Sequence, residues 1–326
     1  MIIVRSPQRI SIGGGGTDLH SYYSLYGGKF ISAAIDKYVY VSIIRPFKKG
    51  IYLKYSDHEK IININEIRHP IFREVLKKYD PKNNQIEITT LADIPSGTGL
   101  GSSGSFTTAL IKSLKAYNLD DISKEELAEA ACEIEIEKLK EPVGKQDQYI
   151  SSFGGIKEFE IDREGRVSVQ NLKISKSTTI DLEENLLLFF TGFTRKAGDI
   201  LNDQDTRTKK SDNAIIDQLH FVKETSQNIK NCLESGDTKQ FGKYMHEHWH
   251  EKKKRSKNMS NSDIDRFYKI ALDNGAVGGK VVGAGGGGFL MFYATDSKLL
   301  RKKLSNEGLE ELKFRFDYEG AKQINL

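Results

Sequence analysis

The chain is predicted to adopt a layered α+β fold in two domains. Strand-like and helix-like segments follow one another in separate runs, which favours this class over a doubly wound parallel sheet, in which strands and helices alternate regularly. The length of 326 residues is typical of two domains of roughly 100–200 residues each. Because the pattern changes near residues 165–180, we expect an N-terminal domain over 1–170 and a C-terminal domain over 171–326.

Seven segments are predicted to be strands, because their apolar residues alternate with polar ones or form short uninterrupted runs. Most lie in the first half of the chain, and residues 150–190 again consist of strands. A glycine-rich turn that starts at Gly278 leads into the last of them. The segments are 2–4, 9–12, 29–44, 85–91, 155–161, 185–190 and 289–293.

Helices are predicted where apolar residues recur every three or four positions. One begins near Phe106, directly after a glycine-rich loop, and another runs from Ser123 to about Leu139. Ser123 and Glu126 have the spacing of a capping box, which satisfies free backbone N–H groups at a helix start. Residues 196–273 are almost wholly helical in pattern, and the tail adds one helix and one strand.

Composition and charge exclude several classes of protein. A hydrophobic fraction of 38% is too high for a disordered chain, and 49 basic against 45 acidic residues do not indicate a nucleic-acid-binding surface. The basic run 252–255 is expected on a solvated helix face. The longest strongly apolar stretch, 186–190, is too short to cross a membrane, and no signal-peptide pattern precedes the first strand. We expect a cytoplasmic protein, without nucleic-acid or membrane partners, in which Cys132 and Cys232 are buried free thiols.

The glycine-rich loop before the first long helix is predicted to bind phosphate. Its glycines allow backbone N–H groups to converge on an anion, the helix presents its positive N-terminal end, and serine hydroxyls can bond phosphate or ligate Mg²⁺. The loop contains no lysine, which excludes a Walker A loop. The candidate nucleotide-binding residues are Pro95, Gly97, Gly99, Leu100, Gly101, Ser102, Ser103, Gly104 and Ser105.

Two other motifs are less specific. Residues 99–104 match the dinucleotide fingerprint G-x-G-x-x-G, but the preceding strand is half polar and ends at Pro95, and residues 113–119 continue a helix instead of forming a second strand. Residues 246–250 match the zinc-protease pattern H-E-x-x-H, but no later histidine supplies a third ligand. We therefore expect these histidines on a helix surface or in the lining of a substrate cleft.

Three glycine-rich patches together resemble the motifs of the GHMP small-molecule kinases, in the order in which that family has them. The patches are 7–18, 95–105 and 283–289. Residues 14–18 read Gly-Gly-Gly-Thr-Asp, whereas galactokinases of the family have Gly-Glu-His-Thr-Asp. Together with 144–149 and 191–195, this sequence is similar to the branch of the family that phosphorylates heptose 7-phosphate and, more distantly, fucose.

The resemblance implies a two-domain GHMP kinase fold, with a ribosomal-protein-S5-like N-terminal domain and a ferredoxin-like C-terminal domain. It implies ATP as the phosphate donor and Mg²⁺ as the cofactor. Asp147 corresponds to the catalytic aspartate, which accepts or orients the proton of the attacking hydroxyl, and Arg9 to the basic residue that pairs with it. Whether Asp147 removes the proton or only positions the hydroxyl is left open by the sequence.

The resemblance also implies two metal ligands, Ser103 and a helix glutamate that corresponds to Glu135. Glu133 and Glu137 share one helix face, and Glu135 points about 200° away from Glu133 at ~100° per residue. Because only one face can meet the metal, we favour Glu135.

The acceptor implied by the resemblance is a small sugar phosphate, with a homodimer as a possible assembly. The expected reaction transfers the γ-phosphoryl of ATP to the anomeric hydroxyl of D-glycero-α-D-manno-heptose 7-phosphate, on the way to nucleotide-activated heptose for surface polysaccharide. Another sugar-1-kinase, for fucose or a hexose, and a non-catalytic sugar sensor are the alternatives. Lys145, Arg195 and Lys196 are candidates for binding the 7-phosphate. The candidate substrate-binding residues are Gly16, Thr17, Asp18, Lys145, Gln146, Tyr149, Arg195, Gly286 and Gly287.

Overall fold

Two β-sheets, of eight and four strands, form the framework of the protein, and helices pack on their faces. The computed structural model describes residues 1–80, 82, 84–194, 197–255 and 259–324. The predicted α+β class is confirmed. The strands are β1 (Ile2–Gly13), β2 (Gly28–Ile44), β3 (Gly50–Lys54), β4 (His58–Ile61), β5 (Gln85–Ala92), β6 (Ile156–Ile161), β7 (Val167–Asn171), β8 (Leu186–Phe190), β9 (Ala276–Val281), β10 (Phe289–Ala294), β11 (Glu310–Leu312) and β12 (Lys322–Gln323).

From residue 197 to residue 273 the described residues are almost wholly helical, so the helical pattern predicted for 196–273 is confirmed for that part of the stretch. Within the described residues, no helix is both long and apolar enough to cross a membrane. The helices are α1 (His20–Tyr26), α2 (Pro70–Tyr79), α3 (Ser102–Tyr117), α4 (Lys124–Cys132), α5 (Gln146–Phe153), α6 (Lys176–Asn185), α7 (Ala197–Lys209), α8 (Asn213–Ser235), α9 (Thr238–Lys253), α10 (Ser262–Asp273) and α11 (Ser297–Asn306).

The long strand β2 organises the larger sheet, whose main order is β12-β1-β2-β5-β3-β4. One edge of β2 pairs with β1 along most of its length, and the other edge pairs first with β6 and then with β5. A register shift between Pro7 and Gln8 bends the β1–β2 pair, since Pro7 pairs with Tyr38 and Gln8 with Ile35. All pairings are antiparallel except that of β3 with β5.

The segment that contains β12 returns to the larger sheet after the smaller sheet is complete. Lys322 pairs with Arg5 of β1, and the backbone N–H of Ile324 donates to the carbonyl of Ile3 at 2.8 Å. Upstream of β12, Phe316 forms an isolated bridge with Ile35 of β2. The outer edge at the start of β1 is therefore covered by residues from the far end of the sequence.

The smaller sheet has the antiparallel order β11-β8-β10-β9 and shares a core with the larger one. One buried cluster combines Ile10 of β1 and Ile31 of β2 with Leu188 of β8, and α8 and α9 contribute Ile229 and Met245. Burial of this apolar surface holds the two sheets against each other. The domain division at residues 170 and 171 stays a prediction.

Helix α4 continues into a π-helical segment, Glu133–Lys138, which ends near the predicted position. The capping box of Ser123 and Glu126 is confirmed, because the Ser123 hydroxyl accepts from the Glu126 N–H and the Glu126 carboxylate accepts from the Ser123 N–H. Glu135 is buried, whereas Glu133 lies at the surface beside Lys78. The helix faces thus separate the two glutamates as the sequence predicts.

Two predictions about secondary structure are wrong. Residues 176–185 form helix α6 within a stretch predicted as strands, because the Ser175 side chain accepts from the Thr178 N–H and caps the helix start. Gly278 lies inside strand β9 and not in a turn. A Cβ on Gly278 would lie 2.1 Å from the carbonyl oxygen of Gly242 in α9, so glycine is required by the close packing of helix on strand. The predicted free thiols, Cys132 and Cys232, are both buried and unpaired.

Candidate active site

Arg9 of β1 and Asp147 in the first turn of α5 form an ion pair at the centre of the site. The Arg9 Nε and Nη2 groups both lie 2.8 Å from Oδ1 of Asp147. The Arg9 side chain is 6% exposed and that of Asp147 is 28% exposed, so the arginine is buried while the carboxylate is partly accessible. No described residue donates a hydrogen bond to the second carboxylate oxygen, Oδ2, which is therefore free to accept one from a substrate.

Arg9 also ties this pair to the glycine-rich loop. Its Nη1 group donates to the carbonyl of Gly99, and its backbone N–H donates to the carbonyl of Leu100 at 2.9 Å. A Cβ on Gly101 would lie 3.2 Å from Cγ of Asp147, so the loop passes directly over the carboxylate. The sequence predicts the loop and the pair separately, and the structure brings them together.

The start of α3 has the properties of an anion site. Gly101 occupies the N-cap position with a left-handed backbone (φ +77°), and no side chain caps the helix. The N–H groups of the first turn and the positive end of the helix dipole are therefore available to phosphate oxygens. The helix begins at Ser102, four residues before the apolar periodicity starts at Phe106.

The three loop serines have different roles. The Ser105 hydroxyl donates to the carbonyl of Pro7 at 2.8 Å, and Ser102 Oγ accepts from Gln8 Nε2 at 2.8 Å, so both hydroxyls contact β1. Ser103 Oγ instead donates to Oε2 of Glu135. The two predicted metal ligands are therefore in direct contact.

Glu135 is a carboxylate in a buried position. Gln148 Nε2 donates to its Oε1 at 3.1 Å, and the side chain is 1% exposed. Burial, together with the nearby Asp147 charge, raises the pKa of Glu135 to about 7. A cation beside Glu135 would restore its charged form, and a carboxylate with a hydroxyl is a donor set that suits Mg²⁺. In the part of the chain that the structure describes, no three His, Cys, Asp or Glu side chains converge, so water and phosphate oxygens would complete the shell.

Asp18 joins the first glycine patch to the start of α5. Its Oδ1 accepts from the Gly16 N–H at 2.9 Å, and its Oδ2 accepts from the Gln146 N–H at 3.1 Å. Burial raises the pKa of this carboxyl above its ordinary value. Thr17, which the sequence also suggests as a sugar ligand, is buried, and its hydroxyl donates to the carbonyl of Lys29 at 2.8 Å.

A cavity lies beside the ion pair, between the first glycine patch, the start of α5 and the helix–strand pair α9 and β9. Arg9, Asp147, Asp18 and Gln146 are among the residues that line it. Four further basic or titratable side chains line the same cavity, and we call them the buried basic cluster: His248, Lys252, Arg255 and Lys280.

The prediction of a solvated face for 252–255 is wrong for Lys252 and Arg255, which are only 7% and 4% exposed. The signal that could have found them is the helical period of α9. Phe241 and Met245 are buried, and His248 and Lys252 are the next buried positions at intervals of three or four residues. The basic residues therefore extend the buried face of the helix.

Other predicted site residues are held away from this cavity. Lys145 Nζ lies 2.9 Å from Oε1 of Glu129 and donates to the carbonyl of Gly165 at 2.7 Å, and the Tyr149 hydroxyl donates to the same Glu129 carboxylate. Both side chains are committed to a structural contact around Glu129. Arg195 and Lys196 lie outside the described residues.

The third glycine patch, 283–289, packs against the glycine-rich loop 95–105, which we call the phosphate loop. A Cβ on Gly283 would lie 2.7 Å from the carbonyl oxygen of Gly99, so the two backbones touch. Gly283 and Ala284 line the cavity, whereas the Gly286 N–H donates to the carbonyl of Met259 at 2.9 Å and a Cβ on Gly287 would meet Phe193. Gly286 and Gly287 thus shape the turn, and their neighbours reach the cavity.

The site combines a helix start without a side-chain cap, the Arg9–Asp147 ion pair and a polar cavity beside them. This combination is typical of a small-molecule phosphotransferase. The family model "GHMP kinases N terminal domain" matches residues 66–155, and "GHMP kinases C terminal" matches 228–309. The D-glycero-alpha-D-manno-heptose 7-phosphate kinase of Campylobacter jejuni is 32% identical over 338 aligned positions, covering 100% of this chain and 99% of that protein. The chain belongs to the GHMP kinase family, as its motifs predict, and is an ATP-dependent kinase.

Two further relatives extend this result. The bifunctional fucokinase/GDP-fucose pyrophosphorylase of Arabidopsis thaliana is 30% identical over 234 residues, which cover 70% of this chain and 22% of that larger protein. The crystal structure of a D-glycero-D-manno-heptose 1-phosphate kinase from Bacteroides thetaiotaomicron has a TM-score of 0.83 at 25% identity and covers 100% of this chain and 99% of that one. The predicted two-domain GHMP kinase fold is confirmed.

Proposed function

We propose that the protein transfers the γ-phosphoryl of ATP to the anomeric C1 hydroxyl of D-glycero-α-D-manno-heptose 7-phosphate and gives the 1,7-bisphosphate. The observation that carries the proposal is the position of the Arg9–Asp147 pair, with the phosphate loop on one side and the polar cavity on the other. The chain also aligns over its whole length with a heptose 7-phosphate kinase.

In this proposal Asp147 acts on the acceptor hydroxyl. Arg9 occupies Oδ1, so Oδ2 accepts the hydrogen bond of the sugar C1 hydroxyl and orients its oxygen towards the γ-phosphate. As the new P–O bond forms and the bond to the β-phosphate oxygen breaks, the hydroxyl proton passes to Asp147. The N–H groups at the start of α3 stabilise the negative charge on the transferring group.

Ser103 and Glu135 would hold Mg²⁺ beside the same helix start. When bound, the metal neutralises charge on the phosphate oxygens. The proximity of the Ser103 hydroxyl to a buried carboxylate supports this assignment, since Glu135 has no cationic side chain as its hydrogen-bond partner among the described residues.

The acceptor sugar would lie in the cavity, where two polar groups support the proposal. The Asp18 carboxylate lines the cavity, and Gln146 Oε1 is buried without a hydrogen-bond partner among the described residues. A buried acceptor without a hydrogen bond destabilises the folded protein unless a ligand hydroxyl donates to it. We retain Arg195 as a further candidate ligand of the sugar phosphate.

A coupled assay of ADP release tests the proposal on heptose 7-phosphate, heptose 1-phosphate, unphosphorylated heptose, L-fucose and D-mannose. We expect the highest kcat/KM with heptose 7-phosphate, and ³¹P NMR of the product should show a new anomeric phosphate. A preference for heptose 1-phosphate or fucose would replace the proposed acceptor. ADP release with none of these sugars would favour a non-catalytic sensor.

A further inference from the structure

The buried basic cluster has no counter-charge of its own. Within the described residues, no carboxylate lies within ion-pair distance of Lys252, Arg255 or Lys280, although these side chains are 7%, 4% and 2% exposed. Lys280 Nζ donates to the carbonyl of Ile12 at 3.0 Å, and Lys252 Nζ donates to the carbonyl of Val281 at 3.2 Å. Carbonyl contacts position the ammonium groups but do not neutralise them.

Arg255 and His248, which line the cavity, have buried polar atoms without a hydrogen-bond partner among the described residues. Arg255 Nη1 has a weak contact with Gln204 Oε1 at 3.4 Å, while its Nε and Nη2 are buried without a partner among the described residues. His248 is 1% exposed, and its Nε2 is also unpartnered. A guanidinium with two free donors beside two ammonium groups has the geometry of an oxyanion site.

The charges of the cavity define the ligand further. Arg9, Lys252, Arg255 and Lys280 face Asp18 and Asp147, so two positive charges are uncompensated when all these groups are ionised. Burial, with repulsion from Arg255 and Arg9, lowers the pKa of Lys280 to about 7. Burial lowers the pKa of Arg255 to about 10, although nearby Asp18 opposes this shift. A bound dianion would remove this repulsion, and a phosphate group supplies that charge.

Arg255 lies beside the first glycine patch, because a Cβ on Gly16 would lie 3.2 Å from its Nη1, whereas Lys252 donates to the carbonyl of Gly283 next to the nucleotide loop. Arg9 and Asp147 line the cavity on one side and contact Gly99 and Gly101 of the loop on the other. An anion held by Arg255 would therefore lie beside the first glycine patch, in the cavity that Asp147 and Asp18 also line.

From these observations we infer that the buried basic cluster binds a phosphate group that the acceptor sugar already carries. Arg255 and Lys280 make the principal contacts with its oxygens, and His248 and Lys252 complete the site. The inference rests on the proposed sugar kinase function and names the residues that select a phosphorylated acceptor.

Binding without nucleotide tests this inference independently of catalysis. Isothermal titration would compare heptose 7-phosphate, unphosphorylated heptose and inorganic phosphate on the wild type and on Arg255→Met and Lys280→Met. We expect each variant to bind heptose 7-phosphate roughly 10-fold to 100-fold more weakly, because a charge-assisted contact is lost, and to bind unphosphorylated heptose as the wild type does. Arg255→Lys should retain part of the affinity.

Lys254→Met is the matched control, since Lys254 belongs to the same basic run but its side chain is 62% exposed and pairs with Glu251. It should bind all ligands as the wild type does. The two cluster variants should unfold at or above the wild-type temperature without ligand, because they remove an uncompensated buried charge. A weaker affinity together with retained stability identifies a lost ligand contact.

Several results would overturn the inference. These are unchanged affinity of Arg255→Met and Lys280→Met for heptose 7-phosphate, equal losses for both forms of the sugar, or weakened binding of a non-hydrolysable ATP analogue alone. A wild type that binds heptose 7-phosphate through the cluster but releases no ADP would leave this inference standing and refute the proposed function. Arg255→Met and Lys280→Met variants that bind and phosphorylate heptose 7-phosphate as the wild type does would refute this inference and leave the proposed function standing.

Discussion

A Cβ on Gly144 would lie only 2.0 Å from Oδ2 of Asp18, so residue 144 has no room for a side chain. The same Asp18 oxygen accepts the N–H of Gln146, and the other accepts the N–H of Gly16. Asp18 therefore connects the first glycine patch to the helix that carries Asp147. Displacement of this carboxylate would alter both sides of the cavity.

Gly144→Ala should lower both stability and activity. Overpacking at a closed position costs roughly 1–3 kcal/mol, and we expect a fall in kcat/KM for the sugar because Asp18 must move. Thermal unfolding and steady-state kinetics measure the two effects. Gly198→Ala is the control, since a Cβ there meets nothing closer than 3.9 Å. Equal behaviour of the two variants would refute the role of Asp18 as a connector.

Asp147→Asn should lose most of kcat while it retains nucleotide affinity. The amide keeps the size of the side chain but cannot take the proton of the acceptor, and loss of such a group typically costs roughly 10²- to 10⁴-fold. Turnover is measured with heptose 7-phosphate, and affinity with a fluorescent ATP analogue. Wild-type turnover in this variant would remove the proposed role of Asp147.

Ser103→Ala and Glu135→Gln should raise the Mg²⁺ concentration that gives half-maximal activity, because each removes one of the two protein oxygens proposed for the metal. The measurement is a Mg²⁺ titration at saturating ATP and sugar. Glu133→Gln changes a carboxylate on the same π-helical segment that pairs with Lys78 at the surface, and it should leave the titration unchanged. An equal shift in Glu133→Gln and Glu135→Gln would indicate a general charge effect and contradict the assignment of Glu135 to the metal.

The stability of the ligand-free protein should increase as the pH rises above 7. The folded protein lowers the pKa of Lys280 to about 7, whereas the unfolded chain keeps the ordinary value of 10.5. Between these values the unfolded state binds more protons, so a higher pH favours the folded state, by at most about 1.4 kcal/mol per pH unit from this residue. Below pH 7 both states hold the proton and the slope disappears.

Thermal unfolding in phosphate-free buffers from pH 6.5 to 9.5 measures this effect. The comparison of wild type with Lys280→Met isolates the lysine from other titrating groups, and the variant should show the smaller slope. Lys252 contributes in the same direction, because burial lowers its pKa as well. Parallel curves for the two proteins would contradict the shifted titration of Lys280.

Local sequence signals predict much of this molecule. Alternation locates β2, the capping box locates α4, and the glycine spacing with the three serines locates the phosphate loop. Helix geometry places Glu135 and Glu133 on different faces, and the resemblance to the family selects Glu135, which is the buried one of the two.

Tertiary contacts explain what the sequence does not reveal. Lys145 belongs to a motif that resembles a sugar site, yet its ammonium group forms an ion pair with Glu129 of α4. Arg255 follows three lysines and has the local pattern of a solvent-exposed helix end, yet the cavity wall buries it. For Lys145 the decisive partner is distant in the sequence, so no local pattern reports it, whereas the helical period of α9 is a local signal for the buried side of the basic run.

The pairing of β12 with β1 closes an edge of the larger sheet that would be open in a shorter chain. Residues 322 and 323 leave the ribosome after every strand of the smaller sheet, yet they cover the start of the strand that carries Arg9. A nascent chain halted after β10 would therefore expose an open edge at β1, to which foreign strands can attach. The pairing of β12 therefore also protects the strand that carries Arg9 from attachment of such foreign strands.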